Sequence, residues 1–398
     1  MKGVAAPPAS DALGAERRLR DEALVASAKA AAWSAGAPAP AGLAASELLA
    51  EAARAQHALA IVGRTLRERP DCPAPLRAEL ERIDRGAWAT HMVTAAALGP
   101  VLAEAAAEDM WVVVYKGAAI AARHYDQPWT RAMTDVDVLI ARADEPRLYA
   151  LLARHGWTPL PTPAGRAWSV KASHERTFAP PPQLEGARLV DVHTAPAQPA
   201  RYRFPVEDML GRAEPGTLFE APVHFLTAAD ELLVMAANQA HDHYRFGLLR
   251  YLDAWLLIER GAVDWKALLA TAQAAGAASA AWLTLTNAQR IAGAPVPASV
   301  LARLRPSRHR RAWLRGAFDL GGWGEPRRRL PRRLEQFLVL YPTLDRPSDF
   351  LRFVAVHGGL RALDTAAALL SPPPREAAAT TPADDAGGPA SRAKGYPR

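Results

Sequence analysis

Two short runs constrain the fold more than anything else in the chain. In TDVDVLI, residues 134–140, and LVDVH, residues 189–193, valines alternate with aspartate, leucine or histidine. A period of two belongs to a strand with one face in a core and the other on a polar space. Val136 and Val138 therefore point one way and Asp135 and Asp137 the other. In the later run Val190 and Val192 oppose Leu189, Asp191 and His193. WVVVY, residues 111–115, is a third β-branched run, and KGAAIAARHY after it has the pattern of a helix, so this segment reads as strand, tight turn, helix. EPRLYALLARHG, residues 145–156, is a further helix closed by Gly156. SVKASHERTF reads as one more strand of the same sheet and brings His174 with it.

Helical spacing surrounds this α/β segment. Apolar residues recur three and four apart from Ala44 to Arg69 and from Pro75 to Glu108, with Pro70, Pro73 and Pro75 breaking the two stretches apart. Beyond Pro222 the spacing is helical almost to Leu370. The expected fold is α+β: N-terminal helices over 43–109, a small mixed-sheet core over 110–221 and a C-terminal helical domain over 222–370. Residues 1–42 are rich in Ala, Pro and Gly, and 371–398 are full of breakers and poor in large apolar groups. Both read as disordered tails.

Composition excludes more than it selects. The most apolar segments are interrupted by Glu51, Asp230 and Arg361, so no membrane span is expected. The N-terminus lacks the apolar run of a secretion signal, which makes the cytoplasm the expected compartment. Cys72 is the single cysteine and has no activating base beside it in sequence. A net charge of +7 admits an acidic partner. The Arg-rich runs SRHRRAWLRG and PRRRLPRR, between Arg305 and Arg333, read first as a solvated helix face, and nucleic acid is an admitted but not favoured partner.

The chemistry lies on the polar faces. Two carboxylates side by side repel and raise each other's pKa unless a cation sits between them. A hard divalent ion, Mg²⁺ or Mn²⁺, shared with substrate phosphate oxygens is the use that fits Asp135 and Asp137; a solvated edge strand is the bland alternative. Asp191 supplies a third carboxylate. Lys116 and Gly117 stand where a strand becomes a helix, and free N–H groups at such a start suit a phosphate. Arg131, four residues before Asp135, is placed to reach the same ligand. His193 and His174 are candidate substrate contacts, each with a core histidine as the alternative. His241 and His243 diverge by roughly 200° on a helix and are not expected to ligate together. Asp253 reads as a structural residue, capping or pairing with Arg250.

The run YKGAAIAARHYDQPWTRAMTDVDVLI, with ARADEPRLYALLARHGW after it, LVDVH later and ADELLVMAANQAHDHYRFGLLRYLDAWLLI beyond, resembles the uncharacterised nucleotidyltransferases of the DNA polymerase β superfamily. The likeness runs from about residue 76 to 265. It rests on a KG turn, an R-x3-D-x-D strand, a D-x-H strand and a helical segment closing on Leu, aromatic and Asp. The resemblance implies that Asp135, Asp137 and Asp191 bind two metal ions that clamp the α-phosphate of a nucleoside triphosphate (NTP), with Asp191 also helping to deprotonate an acceptor hydroxyl. Lys116, Gly117, Arg131, His193 and His174 become nucleotide or substrate contacts. The wider superfamily usually carries Gly-Ser at the turn; here Ala118 follows Gly117, which leaves Lys116 as a partial substitute. The acceptor is left open among small molecule, glycan precursor and protein. Two other readings stand beside this one. A D-x-D glycosyltransferase needs neither the KG turn nor Asp191, and a catalytically silent binding module needs no complete carboxylate set.

Overall fold

The structure is a computed structural model that describes residues 21–29, 46–55, 58–161, 174–242, 244, 247–319 and 341–356. Of the stretch 1–42 read as a tail, only residues 21–29 are described, and they are helical; the rest of it, the tail 371–398, PRRRLPRR and His243 lie outside these residues. Residues 21–29 form helix α1, followed by α2 (Ser46–Ala55), α3 (Leu59–Arg67) and the long α4 (Ala74–Ala107). The α/β part then runs β1 (Val113–Tyr115), α5 (Lys116–His124), β2 (Asp135–Leu139), α6 (Glu145–Arg154), β3 (Thr158–Pro159), β4 (Glu175–Ala179) and β5 (Leu189–His193). Short α7 (Val206–Gly211) leads to β6 (Glu214–Leu218) and β7 (Ala221–Phe225). Helices α8 (Ala228–His241), α9 (Leu248–Arg260), α10 (Trp265–Ala275), α11 (Ala278–Ala292), α12 (Ala298–Leu304) and α13 (Arg308–Asp319) follow. The fold is the expected α+β one.

The seven strands form one mixed sheet in the order β3-β4-β5-β2-β1-β7-β6. The two alternating runs become its central pair, β2 and β5, joined in parallel. On the back face Val136, Val138, Val190 and Val192 are buried under α4, α5 and α6 together with Leu98, Val101, Ala119 and Leu151. Each such side chain stabilises the fold by roughly 1.5–3 kcal/mol, enough to fix the register because a slip of one residue would turn it to the other face. On the front face, Val113, Tyr115 and Leu139 pack beneath Met209, Leu226 and Val234. The helices from α8 onward share a separate core with α2 and α3. The front of β2 and β5 faces that helical mass across a polar cleft.

One expectation is corrected. The chain does not turn helical at Pro222, because β6 and β7 form an antiparallel hairpin there and β7 adds in parallel to β1. Pro215, Gly216 and Pro222 read as breakers, yet they are tolerable here because β6 has only one partner strand and Pro222 is exposed. Ala221, Val223 and Phe225 alternate into the core, a pattern of period two that was present in the sequence.

A candidate metal and nucleotide site

Strand register assembles the site. In the β2–β5 pair Asp137 stands opposite Asp191 and Leu139 opposite His193, while β1 places Tyr115 opposite Asp137. Lys116 follows Tyr115 directly and turns back over the sheet, so that its Nζ lies 2.6 Å from Asp137 Oδ1. His193 Nε2 meets the same oxygen at 2.8 Å. The donor atoms of Asp137, Asp191 and His193 lie within 4.8 Å of one another.

The strand-to-helix turn is held in an unusual backbone state. Lys116 has φ +57°, the left-handed region that non-glycine residues rarely occupy. Its N–H donates to Glu231 Oε1 on α8 at 2.7 Å, which anchors that conformation from the helical side. Gly117 comes next, and a Cβ there would collide with Arg131 Nη1. Arg131 cannot swing away because Asp253 on α9 fixes it, with Nη2 to Oδ2 at 2.6 Å and Nε to Oδ1 at 3.4 Å. Tyr125 Oη donates to the same carboxylate at 2.8 Å.

Charge in the cleft is unevenly compensated. Burial pushes Asp137 up, but Lys116 and His193 more than reverse this and hold it well below the usual carboxylate range. Asp135 is pushed up by burial and by Asp137 and Asp191, with Lys116 only partly opposing. Asp191 is raised by burial, with Glu175 and Asp137 adding and Thr177 and His193 opposing. Asp191 Oδ1 is also buried with no hydrogen-bond partner. An oxygen-rich set with one imidazole and an unpartnered carboxylate oxygen fits a hard or borderline divalent ion such as Mg²⁺ or Mn²⁺.

The cleft has a volume of about 530 Å³ and brings together Lys116, Asp135, Asp137, His174, Asp191 and His193. Gly117 stays buried beneath it at the helix start. Arg131 is the exception: it sits behind the turn in its pair with Asp253, so its described contacts are structural. Asp253 is structural as expected, but Arg131 and Tyr125 hold it. The opposite wall, which sequence reasoning missed, includes Gln198, Arg201, Asn238 and Asp242, together with His241 and Arg250. The spacing of polar residues on α8 does not announce which face meets a cleft. Only a preceding placement of the sheet could have singled them out.

With this geometry in place, the family model described as an uncharacterised nucleotidyltransferase matches residues 44–293, more than half of the chain. The chain belongs to that family. The nucleotidyltransferase match takes in α2 and α3 as well as the sheet and α8–α11, a wider span than the motifs alone cover. No curated protein and no solved structure matches the chain.

Proposed function

We propose that this nucleotidyltransferase moves a nucleoside monophosphate from an NTP, with ATP the first to try, to an acceptor hydroxyl and releases pyrophosphate. The observation that carries the reading is the cluster of Asp137, Asp191 and His193 beside Lys116 in a cleft wide enough for a nucleotide. Asp137 and Asp191 would hold divalent metal, with His193 completing the set and Asp135 within the same cleft. Mg²⁺ or Mn²⁺ bound there would neutralise charge on the α-phosphate during in-line displacement. Asp191, raised by its surroundings and with one oxygen unpartnered, is the group to take the proton of the attacking hydroxyl. Lys116 holds Asp137 in its ionised form and presents its charge at the helix start where phosphate oxygens would lie. His174 borders the same cleft as a substrate contact.

No helix among the described residues is long and apolar enough to cross a membrane. The cytoplasm, where NTPs and Mg²⁺ abound, is the proposed place of work. The family match and the third carboxylate weigh against the glycosyltransferase reading, and the complete carboxylate set weighs against a silent module. The test is direct. Purified protein is incubated with each α-labelled NTP, Mg²⁺ and host lysate, and the molecule that acquires label is isolated. Transfer that Asp137→Asn abolishes supports the reading; equal labelling by Asp137→Asn and wild type refutes it.

A further inference from the structure

The wall of the cleft facing the carboxylates carries polar groups that the fold itself does not satisfy. Arg201 is 4% exposed, and its Nε and Nη1 are buried with no hydrogen-bond partner. Its guanidinium lies 4.8 Å above the Phe353 ring, and Asp242 and Tyr202 act on it only at a distance. Gln198 Oε1 and Asn238 Nδ2 are also buried and unpartnered. All three residues border the same cleft as Asp137 and Asp191.

A buried guanidinium without a hydrogen-bonded acceptor is costly, because it loses its water and regains only a ring face and distant charge. Burial pulls Arg201 down to about 10, which still leaves it charged at neutral pH. Lys116, the cation on the other wall, is already bound to Asp137. An anion entering the cleft therefore finds in Arg201 a cation with open donors, arranged in a fork that suits two oxygens of one group. Asn238 adds an amide donor, and Gln198 an acceptor for a hydroxyl beside the anion.

We propose that Arg201, with Asn238 beside it, is a phosphate seat on the helical wall of the cleft, opposite the metal-binding carboxylates. The seat rests on the reading above only for which molecule brings the phosphate: the β- and γ-phosphates of the nucleotide, or a phosphate borne by the acceptor. Both sources share one chemistry, a tetrahedral oxyanion taken by a charged fork and an amide.

The test is calorimetric titration of the full chain with Mg²⁺ and, in turn, inorganic phosphate, pyrophosphate and a non-hydrolysable ATP analogue. Wild type is compared with Arg201→Gln, Arg201→Lys and Asn238→Ala. Arg201→Gln should weaken pyrophosphate binding by about 10- to 100-fold, the usual worth of hydrogen bonds to a charged group. Arg201→Lys should lie between, because it keeps the charge and loses the fork. Asn238→Ala should cost a few-fold. A parallel loss for the ATP analogue assigns the seat to the nucleotide tail. Loss for phosphate and pyrophosphate with the analogue unaffected assigns it to an acceptor phosphate. Melting without ligand serves as the fold control, and Arg201→Gln should melt at the wild-type temperature or above, since a desolvated charge is removed. Unchanged affinity for all three probes in Arg201→Gln, or no binding of any of them by wild type, overturns the seat. Unchanged affinities with nucleotide transfer intact would leave the enzymatic reading standing alone. Arg201-dependent phosphate binding in a protein that transfers no nucleotide would leave only the seat.

Discussion

Replacing Asp253 by alanine tests how the strand-to-helix turn at Lys116 and Gly117 is held. Asp253 is fully buried and Arg131 is 5% exposed. The carboxylate takes two bonds from Arg131 and one from Tyr125. Without it the guanidinium keeps only its bond to the Ala132 carbonyl at 3.0 Å, and the Tyr125 hydroxyl loses its acceptor. Removing one partner of a buried pair costs about 3–5 kcal/mol, and an orphaned hydroxyl adds roughly 1 kcal/mol or more. At about 2 °C per kcal/mol for a domain of this size, Tm should fall by roughly 8–12 °C. The assay is thermal unfolding followed by circular dichroism at pH 7. The double variant Arg131→Met with Asp253→Leu removes both charges and should recover most of the loss, because apolar replacement of a buried pair is often neutral or better. Nucleotide transfer should stay low in that double variant, since the Arg131 guanidinium also roofs Gly117. An Asp253→Ala protein melting within about 1 °C of wild type would refute the argument, as would a double variant no more stable than the single.

Further expectations follow from the same geometry. Gly117→Ala should cost about 1–3 kcal/mol by overpacking against the pinned Arg131, and clearly less in the Arg131→Met background; equal costs in both would show that Arg131 does not set the limit. Asp191→Asn should lower turnover by about 10² to 10⁴, and a wild-type rate would remove Asp191 from proton transfer. Binding of a non-hydrolysable NTP should require Mg²⁺ and be lost on chelation, and equal affinity after chelation would refute metal-assisted binding. Burial pushes Glu231 up to about 7 from 4.5, although the Lys116 N–H and charge act the other way. A raised carboxyl gives stability that is full below its unfolded value and lost as pH rises through the folded one. Glu231→Gln keeps an acceptor for Lys116 N–H, so it should gain Tm relative to wild type at pH 8 and little at pH 4.5; an equal difference at both would contradict the shift.

The central sheet could be read in advance because its message is local. Alternation along five residues settles which face of β2 and β5 is buried, and the parallel register then puts Asp137 beside Asp191 without any further information. Arg131 could not be read that way. Its spacing from Asp135 places it near the site, but its counter-ion comes from Asp253, more than a hundred residues later on α9. The β6–β7 hairpin was hidden by residues that usually end strands, and it survives because β7 gains β1 as a second neighbour. Gln198, Arg201 and Asn238 were illegible for another reason. A buried polar group without a partner is a property of three-dimensional surroundings, and no pattern of residue types along the chain records it.

Two acidic residues on the late helices, Glu231 and Asp253, reach back into the α/β part, one to the backbone of Lys116 and the other to Arg131 behind Gly117. The turn between β1 and α5 is thus braced by chain that is synthesised after the whole sheet. A fragment ending at β7 would lack both the acceptor of the Lys116 N–H and the counter-charge of Arg131. Modular exchange is restricted in the same way. A helical half borrowed from another protein could sit against this sheet with the turn intact only if it also brought an acidic residue at each of these two positions, so the helices and the turn geometry are inherited as a unit.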